Sequence, residues 1–234
     1  IIFYIFCLNA YHAALFYFIT LSLSITMLYL SLGFIITKLN NIADVNSMGG
    51  LIFKMPSMFL FTLIAFLSLF GVPYFSGYYS HEVIISSLYL QKTFLIPSLL
   101  LGISASFLIS YVLLKNILLI FLGSNKGNIH EFNKINEGSL TIKFILFYLG
   151  ICIVFTGWLI KNLFVGANAE YMWSLLLFDD VSFSIKADIN SYDKFKDLLM
   201  LFSFLGMFFA FINYIIMPLV LKNYKLKYYK IFIL

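Results

Sequence analysis

His81 and Glu82 are the residues best placed to do chemistry, because they follow directly on a proline–glycine break, Gly71-Val-Pro-Tyr-Phe-Ser-Gly77, inside a long apolar stretch. Helices that break inside a membrane recur where ions or protons cross it. An ionisable side chain at that depth costs at least ~2.5–3.5 kcal/mol and marks a functional position by default. Histidine suits proton transfer, since its unperturbed pKa of roughly 6.5 lets it take and release protons near neutral pH. The competing role for His81 is a hydrogen-bonded cap on the broken helix. Glu82 is its sequence neighbour and must project from a different helix face, which predicts a contact to another helix or subunit. Lys115 lies in a second apolar stretch, four residues after Tyr111, so the two share a face. Lys115 either snorkels to the interface or joins a relay or an interhelix ion pair. His130 and Glu131 fall in a polar loop, and Asp179 and Asp180 in another; both pairs are read as loop residues in water or at a subunit contact.

The elements that must hold these residues are helices. The apolar runs are continuous and lack period-2 alternation, which excludes a β-barrel pattern. Spans are expected at about 11–37, 56–72, 75–91, 94–122, 140–163 and 198–221. This is an all-α integral membrane protein of five to six transmembrane helices, one of them broken near Pro73–Gly77. Residues 1–9 are too short to cross alone, since about 20 helical residues are needed. Pro56 suits the first turn of its helix. Polar loops are expected at 38–54, 123–139 and 164–197. One membrane domain covers 1–234, and 222–234 form a basic, aromatic surface tail. Alternating spans put the more positive 123–139 loop and the tail on the matrix or cytoplasmic side.

Composition agrees. Of 234 residues, 62% are hydrophobic and 11% charged, and the mean hydropathy is +1.00. A soluble domain of this size would leave apolar surface it could not hide. The first charged residue is Lys38, so the start shows no positive segment of a cleavable signal. The net charge of +5 is read as membrane orientation and lipid contact, which argues against a nucleic-acid partner. All 15 basic residues are Lys, and Phe (28) and Tyr (16) are abundant, a bias expected of an organelle genome. Cys7 and Cys152 sit in apolar surroundings and are read as small buried hydrophobes.

Four stretches together resemble the distal antiporter-like subunit of respiratory complex I, NADH dehydrogenase subunit 5. Residues 10–20, AYHAALFYFIT, resemble that family's AYDAAIFHLMT, and residues 28–36, LYLSLGFII, its LFLSAGSVI. Asp44 with Met48-Gly-Gly-Leu51 resembles its interhelix linker, and residues 71–85 its broken-helix motif Gly-x-Pro-x-x-x-Gly-Phe-x-Ser-Lys-Asp-x-Ile. Weaker echoes occur at 115–123 and at Glu137, which is placed near a helix N-terminus favoured by the helix dipole.

The resemblance implies that His81 stands where the family has an ionisable Lys, and Glu82 where it has the following acid. His12 stands for an acid near a helix start and is read as interfacial. The family's stripe of His, His and Lys at fourfold spacing falls on Tyr17, Leu21 and Ile25. Tyr17 can still hydrogen-bond, but the other two cannot carry a proton. Proton-relay candidates are therefore His81, Glu82, Lys115, Tyr111 and Tyr17. The match covers half or less of the family's usual length, which implies a split or truncated subunit completed by another chain.

The implied role is a membrane-arm subunit of a proton-translocating NADH:ubiquinone oxidoreductase in the mitochondrial inner membrane. NADH, FMN, iron–sulfur clusters and ubiquinone are then expected on other subunits, with no cofactor, metal or redox site in this chain. The implied partners are the other membrane-arm subunits and membrane lipids. Two alternatives stand beside it. The chain could seal the distal arm without conducting protons, as Leu21 and Ile25 suggest, or it could belong to a related multi-subunit cation/proton antiporter.

Overall fold

The protein was analysed as a computed structural model, which describes residues 11–90, 95–123, 137, 140–164 and 189–218. The described residues form six α-helices and no strand. They are α1 (Tyr11–Lys38), α2 (Pro56–Phe70), α3 (Ser76–Leu90), α4 (Leu95–Ile117), α5 (Leu140–Phe164) and α6 (Ile189–Phe211). A short 3-10 turn, Leu51–Phe53, precedes α2, and π-helical turns extend α4 over Leu118–Leu122 and α6 over Ile212–Ile216. Residues 1–9 with Cys7, the pairs His130/Glu131 and Asp179/Asp180, and the basic tail lie outside the described residues.

Among the described residues three segments, Ala13–Lys38, Leu100–Leu122 and Leu140–Lys161, are long and apolar enough to cross a membrane. α2 and α3 have 15 residues each. At 1.5 Å per residue either half spans about 22 Å, short of a ~30 Å hydrocarbon core. α6 begins at Ile189, within the segment read from the sequence as a loop. Hydropathy marks where a helix enters lipid, whereas backbone hydrogen bonding continues through the polar turns before it.

α1 is the hub, packing against α2, α3 and α5, while α4 and α6 form the most extensive helix pair. The hydroxyls along α1 serve their own helix. Thr20, Ser24, Ser31 and Thr37 each donate to a carbonyl three or four residues back. A polar side chain satisfied in this way is tolerated where no water is available. Met27, Ile35, Met58, Phe121, Leu146 and Ile153 form the main buried cluster between α1, α2, α4 and α5. Large side chains point outward, among them Phe144, Phe155 and Trp158 on α5 and Phe208 on α6. Such a face suits hydrocarbon or a neighbouring membrane helix.

Two helix crossings depend on absent side chains. A Cβ on Gly157 of α5 would lie 2.5 Å from the Ser76 Cα, and one on Gly206 of α6 would lie 2.4 Å from the Phe107 carbonyl oxygen. Small residues bring membrane helices close enough for dense packing. Gly157→Val should therefore force α5 off α3 and cost about 1–3 kcal/mol or more. Gly33→Ala is the matched control, because nothing lies within 4 Å of its added Cβ. The amount of intact assembly in native gels should fall for Gly157→Val and hold for Gly33→Ala.

Candidate functional site

The site is built around the corner between α2 and α3. Pro73 has no N–H and cannot continue a helix, so α2 must end before it. Gly71 takes the left-handed conformation, φ 79°, and its N–H donates to the Ser68 carbonyl at 3.0 Å. The Val72 N–H donates to the Leu67 carbonyl at 3.1 Å, completing a Schellman cap. α3 then starts almost on top of the α2 terminus. A Cβ on Gly77 would lie 1.8 Å from the Ser68 carbonyl oxygen, so only glycine permits this approach.

His81 lies one turn further along α3 and is partly buried. Its ring rests on the corner, with Nδ1 3.0 Å from where a Gly71 Cβ would stand. The other neighbour is Tyr17 of α1, with ring centroids 5.8 Å apart. The His81 ring makes no hydrogen bond to another described residue. It faces a largely apolar cavity of about 370 Å³ between α1, α2, α3 and α4, open on its outward side where Tyr29, Leu108 and Val112 are exposed. Tyr17, Thr20 and Ser24 line one wall, Ser68, Ser80 and His81 another, and Leu21 and Ile25 are also exposed to it. Across the corner, the Ser24 and Ser68 hydroxyls are 2.7 Å apart, and those of Ser68 and Ser76 3.2 Å apart.

Glu82 points elsewhere. Its Oε2 accepts from Lys161 Nζ of α5 at 3.1 Å, and the same ammonium sits 5.6 Å from the centre of the Tyr79 ring. This ion pair lies one turn beyond the Gly157–Ser76 crossing and clamps the broken helix to α5. A third polar group joins α4 to α6. The Tyr111 hydroxyl accepts from Asn213 Nδ2 at 3.3 Å, and Lys115 Nζ lies 5.6 Å from the Tyr214 ring centre. π-Helical turns follow Lys115 and contain Asn213 and Tyr214. Single π turns inside α-helices often fall at functional positions.

The five residues singled out from the sequence thus separate into three groups. His81 and Tyr17 meet at the cavity, Glu82 pairs with Lys161, and Tyr111 and Lys115 turn towards α6. Five hydroxyl residues at the corner, with Lys161 and Asn213, were not anticipated. Thr20 and Ser24 are spaced i, i+4, and Ser68 and Ser76 bracket the break, a pattern visible in the sequence but indistinguishable there from ordinary small-residue packing. Outside the candidate spans, Glu137 Oε1 accepts from the Ser57 N–H at 3.4 Å, in the first turn of α2. The acid expected near a helix start thus serves a helix 80 residues away in sequence. The hydrogen bond from Lys143 holds the Glu137 carboxyl below its ordinary range. His12 lies in the first turn of α1. Cys152 on α5 is a free thiol, and no cluster of three His, Cys, Asp or Glu side chains occurs among the described residues.

A bundle with apolar helices of membrane length, an apolar outer face and a helix broken beside an ionisable residue is an all-α integral membrane protein. Residues 1–109 match the family described as NADH:quinone oxidoreductase/Mrp antiporter, transmembrane. NADH-ubiquinone oxidoreductase chain 5 of Acanthamoeba castellanii is 30% identical over 214 residues, covering 86% of this chain and 31% of that protein. Chain 5 of Chondrus crispus is 30% identical over 210 residues, with 87% and 31% covered. Chain 5 of Trichophyton rubrum is 32% identical over 168 residues, with 70% and 25% covered. Over residues 1–109 the chain matches this antiporter-related family, and its similarity to chain 5 runs over most of its length. It spans about a third of the length of the curated relatives it matches.

The clamp can be tested by charge exchange. Glu82→Lys or Lys161→Glu alone should lower the amount of folded protein, since a partly buried charge-assisted hydrogen bond is worth ~1–3 kcal/mol. The double exchange should restore much of it, read as thermal stability in detergent.

Proposed function

We propose that this chain is part of the antiporter-like subunit 5 of a proton-translocating NADH:ubiquinone oxidoreductase, residing in the mitochondrial inner membrane, with His81 as its proton relay. The observation carrying the reading is the placement of His81: on the corner of a broken helix, beside Tyr17, and facing a cavity edged with hydroxyls. Similarity to chain 5 proteins supplies the context. NADH oxidation, with its flavin, iron–sulfur clusters and ubiquinone, belongs in this reading to other subunits. The partners are the remaining membrane-arm subunits and lipid, and the rest of the chain 5 length comes from polypeptide outside these 234 residues.

His81 accepts a proton from the cavity side and returns it when the energy of quinone reduction alters the polarity of its surroundings. Gly71 gives its ring room at the corner. The Glu82–Lys161 pair fixes α3 against α5, so that the ring moves little while its charge changes. Glu82 is a positioning residue here, and Tyr111 and Lys115 form a separate polar contact between α4 and α6. A second reading, in which the chain completes the arm without conducting protons, is favoured by the apolar Leu21 and Ile25 in the cavity wall.

The test is proton yield per NADH in the purified complex reconstituted into vesicles. His81→Ala should reduce the yield with the complex intact, and His81→Lys should recover much of it. An unchanged yield for His81→Ala would sink the relay role. Sodium or proton exchange without NADH would instead assign the chain to a free-standing antiporter.

A further inference from the structure

The cavity beside the corner is a groove rather than a chamber. Tyr17, Leu21, Ile25 and Tyr29 of α1 line it at four-residue spacing and so form one stripe along the helix. Leu108, Ile109, Val112 and Leu113 of α4 form the facing wall. α1 packs against α2, α3 and α5 but makes no extensive contact with α4, and the groove opens outward between these two helices. We propose that this groove binds one acyl chain of a membrane phospholipid. The proposal stands apart from the relay reading: the chain lies along Leu21 to Tyr29, and His81 is at the inner end.

The depth of the mouth decides what meets it. The two spans that flank it are Ala13–Lys38 and Leu100–Leu122. Ile25 is at the middle of the first, and the four α4 residues straddle the middle of the second. Headgroups and water are then half a hydrocarbon core away, about 15 Å. Acyl chain is the medium at that level. The wall favours it as well, because an apolar cavity stays dry and takes apolar molecules. Left empty, the groove would forfeit the dispersion contacts of its lining. The hydroxyls behind the wall ask nothing of an occupant. Thr20, Ser24 and Ser80 donate to carbonyls of their own helices, each at 3.0 Å, and with Ser68 they are 1% exposed or less.

The shape selects a chain over a helix. Twelve residues of α1 separate Tyr17 from Tyr29, a length of about 18 Å. A volume of about 370 Å³ over that length leaves a groove roughly 5 Å across. An α-helix with its side chains is ~10–12 Å across and does not enter. A single file of methylenes, whose carbons keep ~3.5–4.0 Å from their neighbours, does. The stripe itself supplies the last argument. Leu21 and Ile25 stand where the resemblance implies a His and a Lys. Either polar side chain would repel hydrocarbon, whereas Leu and Ile complete an apolar wall. What reads in the sequence as a lost polar stripe becomes a face for lipid.

The test uses the assembled complex in vesicles containing a phosphatidylcholine with a diazirine at the end of one acyl chain. After illumination, labelled peptides are located by mass spectrometry. Label should fall on 21–29 and 108–113 and should saturate as the probe fraction rises. On the outward faces at Phe144 and Phe208 it should rise in proportion to the probe. Ile25→Trp and Val112→Trp fill the groove from opposite walls. Each should lower labelling there at least fivefold and leave the outward faces unchanged. No label in the groove while the outward faces are labelled, as when another polypeptide covers the mouth, would overturn the proposal. So would groove label that never saturates, which marks ordinary boundary lipid. Saturation in the unaltered chain decides the matter alone if either tryptophan prevents assembly.

Discussion

The contact between Gly77 and the Ser68 carbonyl oxygen governs the rest of the structure. An α-helix that stops inside a membrane leaves carbonyls without partners, and in hydrocarbon each is costly. Here Gly71 and Val72 satisfy the Ser68 and Leu67 carbonyls, and Gly77 lets the next helix begin in contact with that same Ser68. The same closeness sets Ser76 against Ser68, turns His81 back over Gly71, and fixes the direction in which α3 runs towards α5. A side chain at Gly77 would undo all three together, because the clash is with backbone and no rotamer change relieves it.

A second constraint is the disposal of charge. Three polar or ionised side chains within the helices are matched to a group on another helix. Glu82 has Lys161, Lys115 has the Tyr214 ring, and Tyr111 has Asn213. These pairs join α3 to α5 and α4 to α6, and each lies close to a crossing opened by glycine. Backbone approach and ion pairing therefore act together: Gly157 brings the helices near enough for the Lys161 ammonium to reach both Glu82 and the Tyr79 ring. His81 is treated differently. It meets an aromatic ring and a cavity rather than a counter-charge, the arrangement expected of a group whose charge changes during function. Under the proposed relay, the two neighbours in sequence, His81 and Glu82, divide proton movement and anchorage between them.

Much of this was legible in the residues. The helical, membrane-spanning character followed from continuous apolar runs, because burial in lipid demands both apolar side chains and internally satisfied backbone. The break at Pro73–Gly77 followed from the missing proline N–H, and Pro56 falls at the first position of α2 as its fixed φ favours. That Glu82 would leave the His81 face followed from helical rotation alone. The start of α6 did not, since hydropathy reports lipid contact and not helicity.

What only the tertiary structure decided was partnership. Ser24 and Ser68 are 44 residues apart, Glu82 and Lys161 are 79 apart, and Tyr111 and Asn213 are 102 apart. Each residue type is common enough that no spacing rule connects them. Reading Leu21 and Ile25 as the loss of a polar stripe considered only three positions of one helix. Which hydroxyls from other helices would turn towards the same space depends on how closely α2 and α3 meet. A sequence encodes that through the size of one glycine, and its consequence appears only when the chain has folded back upon itself.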